Sequence, residues 1–206
     1  MEETRERILE AARNLIVAPA GFANFTMEAV AREAGVSRMT VYNQFASRSR
    51  LLEATFERIR TLGRFDDVAV AWQHPDPLER LADFISRVGR IWGTERVLFQ
   101  RLYALAALDA DFARVLQPRL ERRRLALVTL VAALHERSGS PALADHGELG
   151  NVLYAIVSFN TFEALAHDGR TFDDVMPVVL RIAREAIGYP LPAERHTRAA
   201  NALAAS

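Results

Sequence analysis

Apolar residues recur three and four positions apart along most of the chain, the spacing that places them on one face of an α-helix. Residues 4–17 show this pattern first, and short polar or glycine- and proline-containing segments separate it from later stretches. Alternation of apolar and polar residues, which would indicate strands, is scarce. We therefore predict an all-α protein of about nine helices, over residues 4–17, 26–34, 37–45, 47–64, 78–92, 95–107, 112–137, 148–166 and 172–187.

Several helix ends are marked by their residue types. Thr26, Ser37 and Ser47 stand where a helix N-terminus needs a side-chain acceptor. Gly35 suits the left-handed turn that ends a helix. Pro118 lies inside the stretch 112–137 and lacks an amide donor, so it predicts a kink or a fresh helix start there.

Composition narrows the class of protein. The chain has 206 residues, 50% of them hydrophobic, and no cysteine, so it can bury a core but forms no disulfide or cysteine–metal site. Its N-terminus is charged at once, and its longest strongly apolar stretch, residues 125–134, is too short to cross a bilayer. We expect a soluble cytoplasmic protein without a metal or other cofactor.

Charge is balanced overall but uneven locally. The 26 basic residues equal the 26 acidic ones, which argues against a surface that is basic everywhere. Residues 37–50 nevertheless carry three arginines and no acidic residue, whereas residues 1–35 carry six glutamates against four arginines. Positive charge is therefore concentrated in one short segment.

That segment has the form of a helix-turn-helix, in which two short helices joined by a tight turn place the second in the DNA major groove. Val41 and Phe45 lie four residues apart and would anchor the second helix, residues 37–45, to a core. Its other side chains offer the donors, acceptors and methyl groups that recognise bases and phosphates. The candidate DNA contacts are Thr26, Ser37, Arg38, Met39, Thr40, Tyr42, Asn43, Gln44 and Arg48.

The next helix opens with Ser47-Arg48-Ser49-Arg50. The free amides in the first turn of a helix carry partial positive charge and favour an acidic residue. Two arginines there are therefore unfavourable unless an external anion is present. A DNA phosphate would supply that anion. Two solvated surface arginines are the alternative, and the neighbouring helix favours the phosphate.

These segments together resemble the tetracycline-repressor (TetR-type) family. The resemblance covers roughly the first 55 residues and rests on Arg7–Ala12, Gly21-Phe22, Thr26–Ala31, Ala34–Ser37 and Thr40–Phe45. It implies an N-terminal unit that binds palindromic operators as a dimer and a helical domain that binds a small molecule and lowers DNA affinity. Repression is the default mode that it implies. Gln44 stands where histidine or tyrosine is common in the family, and Arg48 where lysine is common, so the operator sequence does not transfer.

The domain organisation follows from these signals. Residues 1–50 are the predicted helix-turn-helix DNA-binding domain, and the helix 47–64 leads into a ligand-binding and dimerisation domain over residues 65–192. A polar, proline-marked joint follows at residues 73–77. Residues 193–206 are rich in alanine without a dense apolar stripe, which predicts a flexible tail.

Two surfaces of the larger domain are candidates for partners. The last two predicted helices are apolar enough to pair with a second copy of the chain, through Leu153, Val157, Phe162, Val175, Val179, Ile182 and Ala186. The alternative is that both helices only cover their own core. A lipophilic or aromatic effector would meet amphipathic side chains among apolar ones, and the candidates are Trp92, Phe99, Tyr103, His135, Tyr154, Ser158, Asn160 and Thr161.

Two other classes of function compete with the regulator. The five histidines show no H-E-x-x-H spacing, and the chain has neither a glycine-rich phosphate loop nor a G-x-S-x-G elbow, so no catalytic residue is predicted and an enzyme is disfavoured. The arginine-rich segment 119–124 could be an anion site, although a solvated helix face is the commoner meaning. A helical adaptor that its DNA-binding head localises is the remaining alternative.

Overall fold

The computed structural model describes residues 2–18, 25–62, 71–140 and 143–188, with no side-chain description for residues 60–62. Within these ranges the chain is all-α, as predicted, and contains ten helices and no strand. The helices are α1 (Glu2–Val17), α2 (Met27–Glu33), α3 (Arg38–Phe45), α4 (Arg48–Leu62), α5 (Pro77–Thr94), α6 (Arg96–Leu108), α7 (Ala110–Ser138), α8 (His146–Ile156), α9 (Phe159–Leu165) and α10 (Phe172–Ile187).

Helices α1, α2 and α3 form an N-terminal unit, which we call the reading head (residues 2–45). The inward face of α1 buries Ile8, Ala12 and Ile16, and Val30 of α2 and Val41 of α3 complete this core. Helix α4 packs along α1 and touches α3, so it extends the same core. The short helices α2 and α3 are held by this packing, because helices of their length are marginal in isolation.

Helices α5 to α10 form a larger unit, which we call the helical body (residues 77–188). Helix α10 packs against α5 and α8, and α8 packs closely along α7. The close approach of α8 to α7 depends on Gly150, since an added Cβ there would lie 2.8 Å from the Cα of Val128. Trp92, Phe162 and Phe172 are buried together at the centre of the body.

The reading head contacts the body through α1, which packs against α6, and α4 packs against α7 of the body. Arg13 donates to the carboxylate of Glu95 at 3.1 Å, an ion pair that joins α1 to the junction between α5 and α6. Helix α4 begins one residue after Ser47 and packs against the body, so it is the direct structural link between the two units.

The structure decides two details of the helix predictions. Of the two alternatives predicted at Pro118, a fresh helix start is excluded, because α7 continues through this residue from Ala110 to Ser138. The predicted helix 148–166 is two helices, since the chain leaves helical geometry at Ser158, which caps α9 by accepting from the Thr161 amide. That division gives ten helices instead of about nine.

Some predictions fall outside the described residues. The segment around Gly21 and Phe22, the end of the predicted helix 47–64, and the predicted tail 193–206 lie there in whole or in part. Among the described helices, none has both the length and the apolar character that a bilayer crossing requires.

Candidate nucleic-acid interface and ligand cavity

Helix α3 is fixed to the reading head by one side and leaves the other side in solvent. Val41 and Phe45, four residues apart, are buried. Arg5 of α1 lies over the Phe45 ring, 4.6 Å from its centroid. The remaining residues of α3 are exposed or half-buried, so the anchor predicted from the sequence orients the helix.

The turn before α3 has a defined geometry. Gly35 adopts φ of +62°, a conformation that side chains other than glycine rarely accept. Arg7 of α1 donates to the carbonyl of Ala34 at 2.7 Å and thereby satisfies an orphan acceptor at the end of α2. A Cβ on residue 35 would lie 3.3 Å from the same guanidinium. The turn and α1 therefore hold α3 at a fixed angle to α2.

The start of α3 is capped by its own sequence. The Ser37 hydroxyl accepts from the Thr40 amide at 3.0 Å, and the two hydroxyls lie 2.8 Å apart. Thr26 caps α2 in the same way, accepting from the Ala29 amide at 3.1 Å. Both caps were predicted from the sequence, and both side chains carry a structural role in addition to the proposed contact with DNA.

Arg38 and Tyr42 form a pair on the exposed face. The Arg38 guanidinium donates to the Tyr42 hydroxyl at 3.4 Å and lies 5.3 Å from the ring centroid. The hydrogen bond to the Tyr42 hydroxyl raises the pKa of Arg38, so this side chain stays cationic. Of the other predicted contacts in α3, Met39 and Asn43 are exposed and Thr40 and Gln44 are half-buried. The structure thus brings seven of the nine predicted DNA contacts, Ser37 to Gln44, onto one short segment.

Arg48 differs from the other predicted DNA contacts because its guanidinium already has partners. It donates to the carbonyl of Phe25 at 3.0 Å and forms an ion pair with Asp109, which caps the start of α7. Burial opposes ionisation of Asp109, but the Phe112 amide and the Arg48 guanidinium outweigh burial and lower its pKa. In this conformation Arg48 joins the reading head to the body and does not present a free cation to a phosphate.

A cavity of about 270 Å³ lies in the body and is bordered by α4. Its walls are mostly aromatic and aliphatic, and α7 adds three arginines on one side. The lining residues among those described are Phe56, Trp72, Phe84, Val88, Ile91, Trp92, Phe99, Leu102, Tyr103, Leu116, Arg119, Leu120, Arg122, Arg123 and Ala126.

Three of the eight predicted effector contacts, Trp92, Phe99 and Tyr103, line this cavity. Tyr154 lies beside it, with its ring centroid 4.9 Å from the Arg123 guanidinium.

The other four predicted effector contacts, His135, Ser158, Asn160 and Thr161, do not line this cavity. Ser158 and Thr161 hydrogen-bond to each other at the start of α9, and Asn160 is exposed. His135 lies at the end of α7, where its Nδ1 is 2.9 Å from the Ser140 carbonyl. The physical reason is the helix division at Ser158, which turns these hydroxyls to the backbone.

The arginines of the cavity wall belong to segment 119–124, which the sequence marked as a possible anion site but did not place among the predicted effector contacts. Leu116, Arg119, Leu120 and Arg123 follow a three-and-four spacing on α7, so the arginines share a face with apolar residues. That spacing was the available signal. Arg122 is exposed to solvent, as on a solvated helix face. Arg119 and Arg123 are instead partly buried against aromatic rings.

Most of the predicted dimer contacts are core residues of the single chain. Five of the seven are buried and offer no surface to a partner, so a core role replaces the predicted one for Leu153, Val157, Phe162, Val175 and Val179. Ile182 and Ala186 are half-buried on the outer side of α10. Val152, 40% exposed on α8, is a further apolar residue that faces outward.

The N-terminal part of the chain is similar in sequence to a known protein family. The sequence profile described as "Bacterial regulatory proteins, tetR family" matches residues 8–55, which include α2, α3 and the first half of α4. No curated protein matches the chain.

Solved structures share the fold along nearly the whole chain. A TetR-like transcriptional regulator from Rhodococcus sp. RHA1 has 20% identity and a TM-score of 0.67, covering 90% of this chain and 96% of its own. A protein described as a transcriptional regulator from Saccharomonospora viridis, in complex with choline, has 21% identity and a TM-score of 0.65, with coverages of 90% and 97%. The fatty acid degradation regulator FadR from Bacillus halodurans has 18% identity and a TM-score of 0.61, with coverages of 93% and 96%. The N-terminal segment, residues 8–55, thus matches the tetR family of bacterial regulatory proteins, and the fold of the chain is similar to that of solved TetR-like regulators.

Proposed function

We propose that the protein is a ligand-responsive transcriptional repressor that binds a palindromic operator as a homodimer and is released by a small apolar effector. The observation that carries the DNA-binding part is the free face of α3, where Arg38, Met39, Tyr42 and Asn43 are exposed while Val41 and Phe45 hold the helix in place. A helix anchored on one side and polar on the other can enter a major groove.

The residues of α3 divide by what they can contact. Arg38 stands at the first position of the helix, near the base edges in this docking geometry, and can donate two hydrogen bonds to guanine. Tyr42 carries a hydroxyl that can donate to a phosphate, a contact that positions the protein without reading sequence. Gln44 can read adenine with its amide or hold a phosphate.

The small size of the reading head supports a homodimer. One short helix reads only a few base pairs, and a two-fold dimer doubles the contact by reading two half-sites. The outward apolar side chains Val152 of α8 and Ile182 and Ala186 of α10 support an interface between copies of this face.

Coupling between effector and DNA would run through α4. Its residue Phe56 lines the cavity, and Glu57 pairs with Arg119 of the cavity wall. The same helix begins directly after α3, where Arg48 holds Asp109. An effector that favours one position of α4 then lowers DNA affinity by the same factor by which DNA lowers effector affinity.

The experiment that tests the DNA-binding part is fluorescence anisotropy with labelled DNA from upstream of the protein's own coding region, across a range of salt concentrations. We expect specific binding that weakens with salt, because phosphate contacts release counterions. Tyr42→Phe should weaken binding to cognate and scrambled DNA alike. Arg38→Ala should cost about 1–3 kcal/mol on the cognate site and relax its sequence preference.

Arg181→Ala is the matched control, because Arg181 is an exposed arginine on α10 that pairs with Glu185. It should leave DNA binding unchanged. Equal binding of wild type and Arg38→Ala on every sequence would refute the assignment of α3.

A role on the chromosome would also place the protein in the bacterial cytoplasm.

A further inference from the structure

The described wall of the cavity has a one-sided charge. Arg119, Arg122 and Arg123 line it, and no acidic residue does so among the described lining residues. The charge of Arg119 is paired with Glu57, and its guanidinium lies 4.7 Å from the centroid of the Phe56 ring, although its Nε is buried without a hydrogen-bond partner among the described residues. Arg122 is exposed. Arg123 is therefore the partly buried cation of the described wall that forms no ion pair with a described residue.

The surroundings of Arg123 are aromatic. Its guanidinium lies 4.9 Å from the ring centroids of both Trp92 and Tyr154. Such contacts use the positive charge but provide no oxygen acceptor for the N–H donors. The Nε atom of Arg123 is buried and has no hydrogen-bond partner among the residues that the structure describes. A buried donor without an acceptor costs free energy, and an incoming acceptor would remove that cost.

The next arginine along α7 has different surroundings from Arg123. Arg124, the next residue, projects outside the cavity and donates to both carboxylate oxygens of Glu121 and to the Asn151 side chain at 2.9 Å. The two consecutive arginines thus differ in their hydrogen bonding. Arg124 donates to acceptors of the protein, whereas Arg123 has a buried N–H donor without a described acceptor beside an apolar cavity.

We propose that the effector is an amphipathic anion, with an apolar body in the cavity and a carboxylate held by Arg123. The inference rests on the proposed function and changes it in one respect, because the effector has an apolar body but also carries a carboxylate. A carboxylate accepts two parallel hydrogen bonds from a guanidinium and matches its charge. A neutral apolar molecule would leave the Arg123 donor unsatisfied. A quaternary ammonium such as the choline bound by the Saccharomonospora viridis protein would meet like charge here.

The test measures direct binding to the purified full-length protein by isothermal titration calorimetry, without DNA. Two matched series serve as probes: decanoate, decanol and decyltrimethylammonium, and phenylbutanoate, phenylbutanol and phenylbutyltrimethylammonium. In at least one series the carboxylate should bind about tenfold or more tightly than the alcohol, the usual size of a charge-assisted hydrogen bond. The ammonium compounds should bind most weakly.

Variants locate the effect. Arg123→Gln should remove the preference for carboxylate over alcohol while alcohol binding persists, and Arg123→Lys should restore part of the preference because it keeps the charge. Arg124→Gln, the matched control, should keep the full preference. Thermal unfolding of each variant confirms that it is folded.

Equal binding of carboxylate and alcohol in both series, a preference for the ammonium compounds, or no binding of any probe would overturn the anion inference. Persistence of the preference in Arg123→Gln would overturn the assignment of Arg123. The proposed repressor function fails separately, on the DNA titration. Carboxylate binding that does not release DNA would refute release by effector while the anion site stands.

Discussion

Arginine beside an aromatic ring occurs in both the reading head and the helical body, with opposite exposure. Arg38 lies 5.3 Å from the Tyr42 centroid on a free face of α3, and Arg123 lies 4.9 Å from two ring centroids beside a cavity. Water screens the exposed cation, and an extended polyanion such as DNA can reach it. The partly buried cation borders an apolar cavity, so a ligand that pairs with it there must also fit the cavity. In the proposed function the same side-chain chemistry would therefore serve two different ligands.

Arg48 lies between these two cases. It stands at the start of α4, next to the reading head, but its partner Asp109 belongs to the junction of α6 and α7. The Arg48 guanidinium therefore connects the two units. A DNA phosphate could replace Asp109 as its acceptor. This ion pair physically connects the reading head with the body, and mutation can test that connection.

The largest expected effect is on the free energy of unfolding, and it should differ between the core of the body and the free face of α3. Phe162→Ala should lower the free energy of unfolding by about 3–5 kcal/mol, because Phe162 is fully buried among Trp92 and Phe172. Met39→Ala should change it by no more than about 0.5 kcal/mol, since Met39 is 66% exposed. Urea denaturation at one fixed protein concentration measures both. Similar losses in the two variants would contradict the assignment of an outward role to Met39.

A smaller effect is expected where two helices of the body meet. Gly150→Ala should lower the free energy of unfolding by about 1–3 kcal/mol, because the new Cβ would press on the Val128 backbone and force α8 away from α7. Gly147→Ala is its matched control on the same helix. Its Cβ would meet only Asp145 Oδ1, at 3.6 Å, so it should be neutral or stabilising by up to about 1 kcal/mol. Denaturation curves in which both variants behave alike would show that α8 can shift freely.

The smallest effect concerns the contact between the reading head and the body. Asp109→Asn should keep the cap of α7, because asparagine caps as well as aspartate, while it frees Arg48 from its ion pair. DNA affinity should rise a few-fold, and the salt dependence should steepen by about one contact. Asp111→Asn removes the same charge from an exposed residue of the same turn, which pairs with Arg114, and should show neither change. Equal effects of the two variants would assign the result to general charge.

The acidity of Asp109 sets the pH range in which that contact exists. Its pKa is lowered in the folded protein, so the contribution to stability is present at neutral pH and is lost only as the pH falls through the lowered pKa. The difference between wild type and Asp109→Asn in DNA binding should therefore be constant from pH 6 to pH 8, about two units or more above the ordinary aspartate value. A difference that disappears within this range would show that another group controls Arg48.

Local patterns predicted the reading head well. The caps at Thr26 and Ser37, the turn at Gly35 and the anchors Val41 and Phe45 each act within a few residues, so sequence spacing is sufficient to find them. The cavity was predicted less completely. Trp92, Phe99 and Tyr103 have the expected character, but the arginines of α7 join them only through contacts between distant helices.

The same distinction explains the failures in the last helices. An apolar stripe shows which side chains avoid water, but not whether its own chain or a partner covers them, and so Leu153 and Val179 were assigned to a dimer surface. The helix divides at Ser158 because the Ser158 hydroxyl accepts a hydrogen bond from the Thr161 amide. Serine hydroxyls occur in many helices without ending them, so the residue type alone does not predict the division.

By itself, the sequence determined the helical class, the helix-turn-helix, and the residues of α3 that face solvent, because helical periodicity and end-capping operate over a few residues. Only the tertiary structure decided that Arg48 pairs with Asp109, that Phe56 of α4 borders the cavity, and that Arg123 lies between two aromatic rings. Those features join residues far apart in the chain. Packing brings them together through side-chain shape and burial, which no local pattern encodes.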